Sequence, residues 1–225
     1  LPWAVGSNAG GAGAVATGSL GNTFVSYGTD GGFANGFRAL AATEYENAGV
    51  LLATGAVTAA NNVRYSSANG LTLSGTAHAA NSLIIENTST TSGTLLAVAG
   101  SGAGDSLAVG SGAILFAASA TPQPISFGGF DAGVTTGTSE YVITQNDVAA
   151  GGVLFSSPLT SAAALTKSGP GLLKLTGANV GLTAVRVNQG TLGVASQAGV
   201  NGLTVTLSGG SLGLLADGNG MGGRE

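Results

Sequence analysis

Leu203-Thr204-Val205-Thr206-Leu207 and Val185-Arg186-Val187-Asn188 decide the fold, because in both runs apolar and polar side chains alternate strictly. A period of two marks a strand with one covered face. Short strand-like runs recur outward from these, in Leu71-Thr72-Leu73-Ser74, Ser82-Leu83-Ile84-Ile85-Glu86 and Tyr141-Val142-Ile143-Thr144. Gly, Asn and Ser bound each run, and they take the turn angles that other residues resist. Helical periodicity is scarce. Residues 36–50 hold the best helical pattern, with Phe37, Leu40, Ala41 and Tyr45 approximating one face and Gly49 as a stop. Thr43 and the polar run 44–47 fit a loop or strand equally well. The expected class is all-β.

The strands also recur at intervals. Turn glycines at Gly70, Gly93, Gly112, Gly133, Gly152, Gly171, Gly190 and Gly210 are spaced by about 19 to 23 residues, a solenoid-like period. An aliphatic follows each within two residues: Leu71, Leu95, Ile114, Val134, Val153, Leu172, Leu192 and Leu212. This predicts a coiled ribbon of about 20 residues per turn, stacked at the roughly 4.8 Å strand spacing. On that period the chain makes on the order of eleven turns and a rod roughly 50 Å long. Residues 61–225 carry the turns. Residues 1–60 are less regular and gather Trp3, Phe24, Tyr27, Phe33, Phe37 and Tyr45, as an end cap with a local core or as a contact surface.

Composition narrows the classes. Of 225 residues, 41 are Gly and 44% are hydrophobic, yet only 7% are charged, against about 25% in an ordinary domain. Disordered chains show the reverse balance. Six cations and a pI near 4.7 build no nucleic-acid stripe. Gly, Ser, Thr and Asn interrupt every apolar run before the about 20 residues of a membrane-spanning helix. Without Cys there is neither a disulfide nor thiolate chemistry. The opening Leu1-Pro2-Trp3 has no leader-like pattern, which suggests a processed product or a piece of something longer.

Leu165-Thr166-Lys167-Ser168-Gly169-Pro170-Gly171-Leu172-Leu173-Lys174-Leu175-Thr176-Gly177-Ala178-Asn179 resembles the autotransporter-associated β-strand repeat, with its L-T-K-x-G-x-G-x-L-x-L-x-G-x-N pattern. Val187-Asn188-Gln189-Gly190-Thr191-Leu192 is similar to the V-N-x-G-T-L segment that follows in the family, so the resemblance covers residues 165–194. It implies a right-handed parallel β-helix displayed outside a bacterial cell as a stalk or passenger. Two features depart from the family. Its aromatic-Gly corner is replaced by Val180-Gly181-Leu182, and no membrane barrel follows in the sequence.

Chemistry-bearing residues are sparse. His78 is the sole histidine, with no G-x-S-x-G elbow and no acid close in sequence, and an outward position on a solenoid is expected for it. One histidine is too few for a histidine-based zinc site. The carboxylates Asp30, Glu44, Glu46, Glu86, Asp105, Asp131, Glu140, Asp147, Asp217 and Glu225 are expected as solvated turn residues; only Asp105 and Asp131 fall loosely on one offset for an acid–base pair. Gly100-Ser101-Gly102-Ala103-Gly104-Asp105 is similar to a calcium nonapeptide out of register, and Asp217-Gly218-Asn219-Gly220 to part of a calcium loop without its Glu; both are expected as turns. The Gly-rich residues 6–21 lack the lysine of a phosphate-binding loop. Arg38, Arg64, Lys167, Lys174, Arg186 and Arg224 show no companionship with an acid cluster.

The expectation is therefore a non-enzymatic structural element of an extracellular fibre, sheath or stalk, without catalytic, cofactor or metal residues. It self-associates through its ends or sides, or continues into a longer chain. Alternatives are an adhesin or glycan-binding module, and a carbohydrate-active β-helix enzyme.

Overall fold

The computed structural model describes residues 5–6, 23–30, 33–40, 42–47, 61–179, 181–195 and 203–215. Three antiparallel strands come first, β1 (Val5–Gly6), β2 (Thr23–Asp30) and β3 (Phe33–Ala39). The helical pattern at 36–50 yields strand followed by a single 3-10 turn at Ala42–Glu44, because so short a helix cannot outcompete the flanking ladders. Residues 41 and 48–50 of that pattern lie outside the described residues.

From there the chain alternates between two parallel sheets. In order come β4 (Glu46–Asn47), β5 (Asn62–Ser67), β6 (Leu71–Thr72), β7 (Ala77–Asn87), β8 (Leu96–Gly102), β9 (Ser106–Phe116), β10 (Ile125–Phe130), β11 (Gly133–Thr136) and β12 (Glu140–Gln145). Then follow β13 (Val153–Phe155), β14 (Ala164–Ser168), β15 (Leu172–Leu175), β16 (Ala184–Val187), β17 (Thr191–Ala195), β18 (Thr204–Leu207) and β19 (Ser211–Leu215). One wall runs β4-β5-β7-β9-β12-β14-β16-β18, with β11 also on β9. The other runs β6-β8-β10-β13-β15-β17-β19. Each strand inside a wall thus hydrogen-bonds to strands one lap earlier and one lap later. The chain is all-β, in a solenoid-like arrangement.

The laps differ in length, unlike the constant period expected from the glycines. Val63 pairs with Leu83, Leu165 with Val185 and Val185 with Val205, the same interval each time. Between these flanks the interval widens by about half: Leu83 pairs with Ile114, and Ile125 with Val153. The extra length is an added ladder on the first wall, in which residues 77–80, 106–109 and 133–136 stack and Val134 bridges to Leu159. Gly112 and Gly133 serve this added segment, whereas Gly152, Gly171, Gly190 and Gly210 stand before strands of the second wall. The even glycine spacing therefore runs across two different corners. Among the described residues the second wall has seven strands, so the described stack is roughly 30 Å tall.

Side-chain size follows lap width. The inward ladder Val98–Phe127–Phe155–Leu175–Val194 is aromatic only where the laps are wide. Phe127 stacks on Phe155 at 4.8 Å between centroids and meets Phe130 at 5.3 Å and Phe116 at 6.1 Å. These four rings and Tyr141 are fully buried. The narrow laps beyond are filled by Leu and Val.

A second apolar layer lies on the outer face of the first wall. Ile84 and Leu115 share a rung and point away from the interior, yet both are fully buried under Phe24 and Leu40. The Thr23 hydroxyl donates to Leu40 O at 2.9 Å, and Phe24 N donates to the Tyr45 hydroxyl at 2.9 Å. Of the six N-terminal aromatics, Phe24 thus sits in a local core with Tyr45 packed against it. Trp3 and the side chains of Tyr27, Phe33 and Phe37 lie outside the described residues, as does most of 6–21.

The wide laps are the part most dependent on tight filling. Phe127→Ala is expected to lower unfolding free energy by about 3–5 kcal/mol while leaving the β-type circular dichroism in place. Urea denaturation with a loss below about 1 kcal/mol would show that the aromatic stack is not a core.

Candidate functional site

Buried polar side chains concentrate at the corners between the walls. Lys167 is the clearest case. Alternation along Ala164–Ser168 points Leu165 and Lys167 inward, and Lys167 takes a rung of the aliphatic ladder Val63–Leu83–Ile114–Ile143–Lys167–Val187. It is fully buried. Its Nζ donates to Gly169 O at 2.5 Å and Ser168 O at 3.2 Å on its own corner, and to Gln189 O at 2.8 Å one lap on. Burial pulls the ammonium pKa down to about 8. The corner is tight around it. A Cβ on Gly169, at φ +79°, would stand 2.4 Å from Gln145 O, and one on Gly190, at φ +67°, 2.6 Å from Gly169 O.

Asn179 does the same work toward the previous lap. Its Oδ1 accepts from Leu159 N at 2.9 Å and its Nδ2 donates to Gly177 O at 2.9 Å. The Lys and Asn of the repeat-like segment thus act as staples between laps. Asn87 and Asp147 hold wider laps similarly. Asn87 Nδ2 donates to Thr94 O at 2.8 Å and Pro124 O at 3.1 Å. Asp147 Oδ1 accepts from Ala149 N at 2.8 Å, and Oδ2 from Gln123 N and the Ser119 hydroxyl, both at 3.4 Å. Asp147 is buried, contrary to the expected solvated turn, and burial raises its carboxyl pKa.

His78 also departs from expectation, since it faces inward. It pairs in register with Leu107, and the ladder His78–Leu107–Val134–Leu159 is buried throughout. Its ring meets Phe130 edge-on at 6.2 Å, and Nε2 lies 4.0 Å from Asp105 Oδ2. Asp105 is likewise fully buried instead of solvated, and accepts from the Ser101 hydroxyl at 2.9 Å and from Ser101 N. Ser, Asp and His come together here in an order that cannot run a triad. The carboxylate sits between serine and imidazole and itself takes the hydroxyl's hydrogen bond, so the Ser–His–Asp order of a triad is not formed. His78 and Asp105 fall within one lap at the wide spacing, and the shorter period expected from the glycines hides that meeting.

Asp131 is one lap from Asp105, whose carbonyl accepts from Ala132 N at 2.9 Å, but the Asp131 side chain is exposed. The two carboxyls therefore share no cleft. Of the 100–105 segment, residues 100–102 end β8 and only 103–105 form the expected turn, closed by Asp105 N on Gly102 O at 3.1 Å. Among the described residues no three His, Cys, Asp or Glu side chains gather as a metal group, and no helix is long and apolar enough to cross a membrane. Asp217, Gly218, Asn219, Gly220, Arg224 and Glu225 lie outside the described residues, as do the side chains of Asp30 and Arg38.

Two basic residues do have acidic company, which sequence spacing missed. Arg64 pairs with Glu86 of the next lap at 2.7 Å. Arg186 lines a shallow groove of about 100 Å³ on the outer face of the first wall with Glu140, Thr166, Thr204 and Thr206. The Thr166 hydroxyl donates to Glu140 Oε1. No protein-family model matches the chain, no curated protein matches it, and no solved structure does.

The Lys167 staple has a pH signature. Between pH 8 and the ordinary lysine value near 10.5, the unfolded chain holds a proton that the folded chain has released. Stability contributed by this residue therefore rises with pH across that window, by at most about 1.4 kcal/mol per pH unit, and is lowest below about 8. Urea denaturation across this range is expected to show that rise in the native chain and not in Lys167→Met. An identical pH slope in both would mean that the amine does not titrate from the interior.

Proposed function

We propose that the chain is a structural element of a bacterial cell surface, a right-handed parallel β-helix of a fibre, sheath or passenger stalk, with no catalytic role. The observation that carries this reading is the alternation of strands between two parallel walls from β5 to β19, with inward rungs that stay in phase. Right-handedness is supported by the strong preference of parallel crossover connections for that hand. The segment that resembles the autotransporter-associated repeat lies in the narrow laps of the C-terminal flank, and its Lys and Asn are the staples between laps. Mechanically, stacked laps share load, because opening one exposes the amides and apolar rungs of its neighbours. The Ser101–Asp105–His78 group fits this role as a strut.

The test is accessibility on intact cells. Antibodies against the chain are expected to label unpermeabilised cells of the source organism, and protease treatment to leave a resistant core containing residues 61–195. Labelling that appears only after permeabilisation would sink the surface assignment, and rapid digestion of the core would sink the scaffold.

An adhesin or glycan-binding module is the second reading, favoured by the groove that holds Glu140, Thr166 and Arg186. It expects hits on a glycan array that Arg186→Ala abolishes; an array without hits removes it.

A further inference from the structure

The corners of the wide laps hold a surplus of buried oxygen. Passing from the first wall to the second, the narrow laps turn in residues 169–171, 188–190 and 208–210, whereas the wide laps use 88–95, 117–124 and 146–152. In and beside these broad corners Asn87, Ser89, Gln123, Gln145, Asn146 and Asp147 are buried. Among the described residues Gln123 Oε1 and Gln145 Oε1 accept no hydrogen bond. Their amide nitrogens are placed, Gln123 Nε2 on Ser89 O at 3.4 Å and Gln145 Nε2 on Asp147 O at 2.7 Å. Every shortfall in this corner is an oxygen without a donor, and a buried acceptor left so is costly.

Asp147 adds a charge to the same corner. It is 1% exposed, and burial raises its pKa; hydrogen bonds oppose that shift, but among the described residues no cation does. The buried Lys167 amine is committed to the Ser168, Gly169 and Gln189 carbonyls. Ser119 Oγ lies 3.4 Å from Asp147 Oδ2, against about 2.7–2.8 Å for a good O–H···O bond. The single hydroxyl proton of Ser119 goes to Thr121 O, at 2.5 Å. Asp147 Oδ2 and Ser119 Oγ therefore face each other as two oxygens. Two oxygens held about 2.4 Å from one calcium ion and at right angles stand about 3.4 Å apart. Gln123, whose N is 3.4 Å from Asp147 Oδ2, brings its donorless Oε1 to the same corner. Ser119 and Thr121 are half-buried and Ala120 and Pro122 exposed, so water reaches the corner from that side.

We propose that residues 119–123 and Asp147 form a calcium site. The Asp147 carboxylate is its charged ligand, Ser119 Oγ, Thr121 O and Gln123 Oε1 are neutral ones, and water completes the shell. Calcium suits such a set because it takes six to eight oxygens in flexible geometry, carbonyl and amide oxygens among them, whereas magnesium demands a near-ideal octahedron. A single carboxylate makes the site weak, with a dissociation constant of about 1 mM, the range of extracellular modules. Residues 119–123 and Asp147 belong to successive wide laps, so the ion ties one corner to the next, as the Lys167 amine does in the narrow laps. This inference goes beyond the scaffold reading and does not rest on it.

Urea denaturation of the full 225-residue chain at constant ionic strength tests it. About 10 mM calcium is expected to lower the unfolding equilibrium constant about tenfold relative to chelator, and magnesium at the same concentration to leave it within about twofold. Asp147→Asn keeps an acceptor for Ala149 N and is expected to retain β-type circular dichroism while losing the calcium response. Gln123→Glu supplies a second charged ligand and is expected to lower the calcium dissociation constant about tenfold or more. Absence of a calcium response in the native chain, or an equal response to magnesium, overturns the site. So does a response that persists in Asp147→Asn, or a Gln123→Glu variant that binds no tighter. If either variant loses its β-spectrum, the other decides. None of these results bears on the two walls, so a failed calcium site leaves the scaffold reading to its own test.

Discussion

Phase between neighbouring laps is the constraint on which the rest of this molecule depends. A side chain faces the interior only because its strand is hydrogen-bonded in register with the strand one lap before. A slip of one residue would turn every Leu and Val of that strand toward water. With charges at 7% of residues, there is little long-range electrostatics to restore a lost register. The corners must do it, which is why the buried polar groups Asn87, Asp147, Lys167 and Asn179 all lie where strands turn.

Lap width and side-chain volume are matched through the same constraint. The added ladder of residues 77–80, 106–109 and 133–136 enlarges the interior, and the enlarged interior holds Phe116, Phe127, Phe130, Tyr141 and Phe155. Phe127 and Phe155 share a rung, so their stacking is a consequence of register. Beyond Phe155 that ladder shrinks to Leu175 and Val194 as the laps shorten. Small side chains filling a narrow bore and aromatics filling a wide one are one packing rule at two radii.

Strand positions were legible in the sequence because alternation is local. Tyr141-Val142-Ile143-Thr144 and Val185-Arg186-Val187-Asn188 fall within or against strands of the structure. Lap length was legible only where successive laps are alike. In the middle, Gly112 and Gly133 mimic the corner glycines of the narrow laps while serving the added ladder, and glycine identity does not report which corner it turns. The site residues followed that error: His78 and Asp105 look unrelated on an even, narrow period and adjacent on the true one. The second apolar layer did leave a signal. Leu83-Ile84-Ile85 and Ile114-Leu115-Phe116 break alternation, as strands buried on both faces do.

A lysine on an aliphatic rung is the least expected feature, and degeneracy of the narrow laps accounts for it. Leu173 and Leu175, Leu192 and Val194, Leu212 and Leu214 are nearly interchangeable, so a slip of two residues would keep apolar groups inside and lose little contact energy. Wide laps are protected from this by their unequal lengths and their rings. In the narrow laps the Lys167 amine meets Ser168, Gly169 and Gln189 carbonyls only when β14 and β16 are in their native pairing. In any slipped pairing the same amine would be buried without Gln189 and would destabilise the stack. Replacement by an apolar side chain of similar length would cost little in burial and would remove this discrimination, which places Lys167 among the groups that specify a structure more than they stabilise it.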